Sequence, residues 1–535
     1  MKPNRRTFLK QAGCSAAGLS LLPLLSACRG LQVAAAADGP LPRGTPEAEG
    51  ISSAAILAFL DAVAQSQHEF HSFMLVRHGR VVAEGWWSPY APPFRHTLYS
   101  LSKSFTSTAV GFAVSEGRLR VGDRVISFFP DELPARVSEH LAALRVRDLL
   151  TMSVGNAKEP VLDMVKTEDW VRAFLATPIP HPPGSVFLYN SSATYMLSAI
   201  VQRRTGQRIV DYLTPRLFAP LGIPGPTWET CPRGINTGGW GLSVRTEDLA
   251  KFGQFYRQKG RWHGRQLLPA AWIDEATTFK IQQPAPVRPQ RPNADNDWLQ
   301  GYCYQFWRCR HHAFRGDGAF GQYTMVMPEQ DAVIAITSET HDMQGELDLV
   351  WEHLLPAMSD QPLPDDRATR ERLERTLATL TLAPPNGQPT SPVAGPVSGK
   401  TFQLEPNALG LERVRFEFPG DRCGFTANTA RAAYPVECGI GTWQRGQTAL
   451  PGTPPRLISG GAPKPGTPAR IAARGAWKDA HTFEMLWRYY ETPHHDTVTC
   501  RFGDGGVQIA FVSSIAAMSS PPPDARPVLH GRLAG

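Results

Sequence analysis

The sequence predicts an α/β unit joined by a proline-rich linker to a small all-β domain, and three observations carry the prediction. Over residues 42–360, strand-like runs near the N-terminus give way to a helical middle and return to strands after Tyr302. A helix from about Asp365 to Leu380 then leads into Ala383-Pro384-Pro385-Asn386-Gly387-Gln388-Pro389-Thr390-Ser391-Pro392, so residues 361–398 read as a helix and a semi-rigid linker. Beyond Gly399 short runs alternate with period two between turns, as in Arg413–Phe418, Thr482–Tyr490 and Thr497–Phe502. That spacing predicts an antiparallel barrel or sandwich over residues 399–517. The tryptophans there (Trp443, Trp477, Trp487) read as core rather than as a ligand platform. Ser520-Pro521-Pro522-Pro523 opens a stretch, 518–535, that reads as a tail.

Within the first unit, Phe73–Gly85 reads as two strands joined by a turn at His78-Gly79. Downstream, Phe105, Thr108, Phe112 and Ala113 recur with helical period, and Gly117 after Glu116 supplies a stop. At the start of that helix stand Ser100 and Lys103, where Ser-x-x-Lys places both side chains on one helical face. Serine is a weak nucleophile until a neighbouring base takes its proton, and a lysine of suppressed charge can do so. A helix N-terminus also favours developing negative charge.

Two further motifs follow. Pro183-Gly184 launches what reads as a short strand ending in Tyr189, after which Ser191 or Ser192 would cap a helix beginning near Ala193. Later comes the glycine-rich Phe314-Arg315-Gly316-Asp317-Gly318-Ala319-Phe320-Gly321-Gln322, with Asp331–Thr337 reading as a buried strand beyond it. Glycine-rich backbone at a strand edge can aim N–H groups at an oxyanion.

In this order, Ser-x-x-Lys, Tyr-x-Ser and a glycine-rich strand, the chain resembles the β-lactamase-fold serine hydrolases. These are relatives of class C β-lactamases, penicillin-binding proteins, certain esterases and 6-aminohexanoate-dimer hydrolases. Leu144–Gly155 and the stretch Gly238-Gly239-Trp240-Gly241-Leu242-Ser243 fit the same habits. The resemblance implies an antiparallel sheet with a helical domain in the β-lactamase-like transpeptidase fold. It implies Ser100 as the acylated nucleophile, Lys103 as its proton partner and Tyr189 as base or relay. Ser191 stands where relatives often place asparagine, and the N–H groups of Ser100 and Ala319, beside Asp317 and Gly318, would line the oxyanion and substrate site. One departure bears on substrate: where penicillin-recognising relatives carry lysine or histidine, this chain has Gly316. Arg315 is the nearest replacement cation, and Asp317 would repel an anion. The expected substrate is therefore a small ester or amide, with β-lactam or D-Ala-D-Ala cleavage as the alternative and a non-catalytic envelope binding protein as the alternative of another class.

The chemistry carries a demand. Lowering a lysine from about 10.4 to about 7 costs roughly 4–5 kcal/mol, and a phenolate at Tyr189 would need about 4 kcal/mol. A helix terminus supplies about 0.3–1 kcal/mol, so burial must do most of the work. Either group can serve as the base at this level of reading. Rival chemistries lack their motifs: there is no Gly-x-Ser-x-Gly, His-Glu-x-x-His, Cys-x-x-Cys or P-loop. No cofactor or metal is expected, and the pairs His311-His312 and His494-His495 read as surface or core residues.

Residues 1–37 read as an export signal outside the fold. Asn4-Arg5-Arg6-Thr7-Phe8-Leu9-Lys10 matches a twin-arginine signal and is followed by an apolar stretch, Ala12 to Leu25. Leu25-Ser26-Ala27-Cys28 resembles a lipobox, making Cys28 the favoured lipidation site, with Ala35-Ala36-Ala37 as the competing cleavage site. The expected location is the bacterial periplasm or envelope, with membrane contact only through that anchor. Removing residues 1–27, up to the lipidation site at Cys28, takes away Lys2, Arg5, Arg6 and Lys10 with no acid, so the net charge of +7 falls to +3. A near-neutral chain of this length offers nothing to a nucleic acid. Of the remaining cysteines, Cys423 with Cys438 or Cys500 could pair in an oxidising compartment. Oligomeric state leaves no signature here.

Overall fold

The computed structural model describes residues 39–286, 290–454, 456–458, 467–518, 524 and 526–534. Residues 1–37, read above as an export signal with its lipidation site at Cys28, and Ser520–Pro523 lie outside the described residues.

A six-stranded antiparallel sheet organises the catalytic unit. Helix α1 (Ser53–Gln65) is capped by Ser52, whose hydroxyl accepts from the Ala55 amide, and leads into strands β1 (Glu69–Arg77) and β2 (Arg80–Trp86). Their turn is tight because His78 and Gly79 both take positive φ, 48° and 78°. After helices α2 (Ser102–Ser115), α3 (Ser191–Thr205) and α4 (Thr246–Arg257) come strands β3 (Trp307–Arg308), β4 (Phe314–Gly318), β5 (Gln322–Met327) and β6 (Ala332–Glu339). The sheet order is β2-β1-β6-β5-β4-β3. The continuous apolar run Phe73-Met74-Leu75-Val76 serves two cores by strand alternation. Met74 and Val76 face the helical side with Phe105 and Phe252, whereas Phe73 and Leu75 face Phe59 and Leu60 of α1.

Residues 361–398 are fastened at both ends. Helix α5 (Arg367–Ala378), capped by Asp366, buries Leu373 in the core beside α1. Ser88 then exchanges backbone hydrogen bonds with Leu380 and Leu382, and Gln388 with Trp477.

The last domain is a barrel rather than a sandwich. Its strands are β7 (Lys400–Leu404), β8 (Arg413–Glu417), β9 (Arg422–Asn428), β10 (Ala433–Ile440), β11 (Gln444–Thr448), β12 (Ala469–Trp477), β13 (Thr482–Arg488), β14 (His495–Gly503), β15 (Gly506–Ser513) and β16 (Leu529–Leu533). Nine of them close the ring β10-β9-β8-β7-β16-β15-β14-β13-β12, and β11 lies beside β12. A ring with an odd number of strands cannot alternate direction throughout. One pair must be parallel, and it is β10 with β12, Cys438 opposite Ala473. Trp477 and Trp487 fill the interior, while half-buried Trp443 packs against the catalytic core. Cys423 and Cys438 are register partners but free thiols, as is Cys500.

Two expectations are corrected. The stretch read as a tail contains β16, which is hydrogen-bonded between β7 and β15 with Leu529 buried. A five-residue strand containing Gly531 is too short to show its period in sequence. Residues before Tyr189 form no strand. Leu188 donates to the Met152 carbonyl and Phe187 packs on Tyr302 and Trp307, so aromatic packing holds this segment where a ladder was expected. No helix among the described residues is long and apolar enough to cross a membrane.

Candidate active site

Ser100 sits in a single 3-10 turn, Tyr99–Leu101, that runs into α2. This entry carries Lys103 inward: its side chain is buried, with Nζ 2.9 Å from Ser100 Oγ, 3.1 Å from Ser191 Oγ and 2.8 Å from the Gly239 carbonyl oxygen. Every one of these partners is neutral. Burial therefore lowers the amine from its usual value to about 7, against the more distant pull of the Glu159 and Asp317 carboxylates. The Gly239 carbonyl comes this close because residue 239 has no side chain; a Cβ there would lie 2.9 Å from the Ser191 carbonyl oxygen.

Tyr189 reaches the same place from the loop before α3. Its ring stacks on Trp307 at 5.6 Å between centroids, and Lys103 Nζ lies 4.8 Å from its centre. Burial pushes the phenol well above its ordinary range; the Ser100 hydroxyl favours the phenolate, whereas Asp317 and Glu159 oppose it. The phenol thus stays protonated at neutral pH. The structure brings together the three side chains that the motifs single out.

The N-terminus of α3 differs in detail from expectation. Asn190, not Ser191 or Ser192, is the cap, its Oδ1 accepting from the Ala193 amide at 2.9 Å. The Ser191 hydroxyl is thereby free to face Lys103. Glu159, which sequence reasoning missed, accepts from the Ser191 amide at 2.7 Å and from the Ser192 amide and hydroxyl. A carboxylate at a helix N-terminus is electrostatically placed, but a lone glutamate in the loop Gly155–Pro160 carries no signal of that contact.

The glycine-rich strand β4 forms the facing wall. A Cβ on Gly318 would lie 2.0 Å from the Leu98 carbonyl oxygen, so only glycine lets the strand approach the turn that carries Ser100. That approach sets the amide of Ala319, the next residue, beside the turn that carries the Ser100 amide. A Cβ on Gly316 would meet Ser104 Oγ at 3.0 Å and Leu101 Cγ at 3.2 Å, which leaves little room for a lysine. Arg315 does not replace it. Its buried guanidinium pairs with Asp317 at 2.8 Å, donates to the Asp297 carbonyl and lies over Trp298. Asp317 is almost buried and spends its charge on that pair.

The chain is similar to known proteins. The chain is 26% identical over 290 residues to the 6-aminohexanoate-dimer hydrolase of Paenarthrobacter ureafaciens, covering 51% of this chain and 73% of that one. It is 26% identical over 273 residues to penicillin-binding protein 4 of Amycolatopsis lactamdurans, covering 44% and 70%. The octameric penicillin-binding protein homologue from Pyrococcus abyssi superposes with a TM-score of 0.47 at 16% identity, covering 90% of this chain and 99% of that one. The β-lactamase family model matches residues 60–357, more than half of the chain. The chain belongs to the β-lactamase family of serine hydrolases.

Proposed function

We propose that the protein cleaves a small ester or amide through a covalent acyl-Ser100 intermediate. The observation that carries this reading is the buried Lys103 amine, lowered to about 7 and 2.9 Å from the Ser100 hydroxyl. A neutral amine has two N–H donors and one lone pair. The Gly239 carbonyl and Ser191 Oγ take the donors, which leaves the lone pair to accept the Ser100 proton. Ser100 Oγ then attacks the substrate carbonyl, and the oxyanion meets the Ser100 and Ala319 amides. The proton held on Lys103 passes to the departing alcohol or amine, with the Tyr189 phenol as the neighbouring hydrogen-bond donor. Water attacks the acyl-enzyme by the reverse route and releases the acid.

The glycine at 316 and the enclosed Arg315 support a substrate without a carboxylate to anchor, and so an ester or amide rather than a penicillin. The relative that hydrolyses 6-aminohexanoate dimer supports amide cleavage within this family. Ser100→Ala should abolish labelling by a fluorophosphonate and lower p-nitrophenyl acetate turnover by about 10⁴-fold or more; a variant that keeps either activity ends the proposal. Nitrocefin, run in parallel, should be turned over far more slowly than the ester.

We also propose, from the twin-arginine and lipobox motifs alone, that the enzyme is exported to the bacterial envelope and anchored at Cys28, with release at Ala35-Ala36-Ala37 as the alternative. Changing Arg5 and Arg6 together to lysine should leave the protein in the cytoplasm, and Cys28→Ala should remove palmitate incorporation. Unchanged fractionation in both variants would reject this placement.

A further inference from the structure

The described residues belong to one compact unit, and within it the barrel touches the turn that carries Ser100. The hairpin loop between β13 and β14 makes the contact. The Glu491 carbonyl accepts from the Thr97 amide at 2.9 Å, and the Thr492 carbonyl accepts from the Tyr90 hydroxyl at 3.1 Å. His494 goes furthest: its Nε2 is hydrogen-bonded to the Tyr99 hydroxyl, and its ring meets Phe320 edge-on at 4.8 Å. Tyr99 and Phe320 also meet each other, at 5.4 Å.

Those two aromatics have a special address. Tyr99 immediately precedes Ser100 and Phe320 immediately follows Ala319, the residues whose amides face the oxyanion in the reading above. Both hold left-handed backbone, φ 48° and 68°, which a bulky aromatic adopts only where its surroundings impose it. His494 is itself held. Nδ1 donates to Glu339 Oε1 at 2.8 Å, and Glu339 Oε2 receives His495 at 2.8 Å. Arg488 of the barrel pairs with Glu69 and, at 3.4 Å, with Glu339. Since Tyr99 keeps its proton when buried, its hydroxyl donates to Nε2, giving the chain Glu339–His494–Tyr99.

We infer that His494 is a positioning residue for the oxyanion hole, supplied by the barrel and acting through Tyr99 and Phe320. It lies outside the stretch matched by the family model, residues 60–357. The inference rests on the acyl-serine reading, because it assigns the Ser100 and Ala319 amides their role.

The test uses the full chain with Tyr99→Phe, His494→Ala, His494→Gln and the Tyr99→Phe/His494→Ala double variant. Matched p-nitrophenyl oxo- and thionoesters are the probes, since sulfur fits an oxyanion hole poorly. In the folded variants kcat for the oxoester should fall roughly 10- to 100-fold with KM within about 3-fold, as a misplacement of about 1 Å in a catalytic geometry does. The oxo-to-thiono ratio should fall with it. His494→Gln, which keeps an acceptor for the tyrosine hydroxyl, should recover part of the rate. The double variant should be no slower than the slower single one. Tyr99→Phe removes one oxygen and decides the matter if His494→Ala does not fold. An unchanged oxo-to-thiono ratio in Tyr99→Phe, or losses that multiply in the double variant, would overturn the inference. A wild-type chain that neither labels nor turns over the oxoester would instead overturn the acyl-serine reading.

Discussion

Lys103 and Glu339 are both buried ionisable groups within a few residues of the active-site walls, yet burial ends differently for them. Lys103 touches two hydroxyls and a carbonyl, so nothing in contact repays the lost hydration and the amine gives up its charge near pH 7. Glu339 suffers the same desolvation, but His494 and His495 hydrogen-bond to it directly and hold it well below the usual carboxylate range. Glu69 behaves likewise: burial opposes its charge, and Arg488 and His71 bring it down to about 2. The lesson concerns distance. Carboxylates lie near Lys103 too, but none makes a direct ion pair with it among the described residues. At Glu339 and Glu69 direct hydrogen-bond donors and the Arg488 guanidinium outweigh burial, whereas the carboxylates around Lys103 stand further off and do not.

This contrast can be broken or sharpened by experiment. The largest effect is expected at the amine. Lys103→Met should lower kcat by about 10³- to 10⁴-fold, and in the wild type kcat/KM should rise tenfold per pH unit below about 7 and level off above it. A profile flat from pH 5 to 8 would mean that Lys103 is not the titrating base. Next comes the paired cluster. Glu69 has its folded value below its unfolded one, so its contribution is complete above about 4.5 and is lost as pH falls towards about 2. The shift corresponds to at most about 3 kcal/mol, less a discount for the 30% exposure of its side chain. Urea unfolding of Glu69→Gln across that range should show a shallower acid loss than the wild type; parallel curves would disprove the assignment.

Gly318→Ala tests the geometry between the two regions. Its methyl would strike the Leu98 carbonyl, so the strand must retreat from the turn that carries Ser100, with a loss of about 100-fold in kcat. Full activity there would show that the close approach is dispensable. The smallest effect is expected for Tyr189→Phe, about 10-fold in kcat with the pH midpoint unmoved, because the phenol is protonated throughout the working range. A shifted midpoint would transfer the role of base to the tyrosine.

The two regions also differ in how far they can be read from sequence. Ser100 and Lys103 are legible because three residues along a helix bring their side chains onto one face. Tyr189, Gly316 and Gly318 follow from the order of motifs. Glu159 and the Gly239 carbonyl were not legible, since the first joins the site by folding onto the N-terminus of α3 and the second contributes only backbone. The pair His494-His495 was visible, but its partners Tyr99 and Glu339 lie 395 and 155 residues away. Nothing local distinguishes such histidines from ordinary core residues.

Local spacing and composition alone determined the Ser100–Lys103 pairing on one face, the helix that carries it, the inward and outward faces of the strands, and the alternation that makes the last domain all-β. Tertiary structure decided whether that domain closes as a ring, that residues 529–533 belong inside it, which group near Ser100 loses its charge, and that the barrel reaches the turn that carries Ser100. The physical reason is the range of the forces involved. Helix and strand periodicity act over a few residues, whereas desolvation and hydrogen bonding across a domain interface depend on neighbours that only the folded chain assembles.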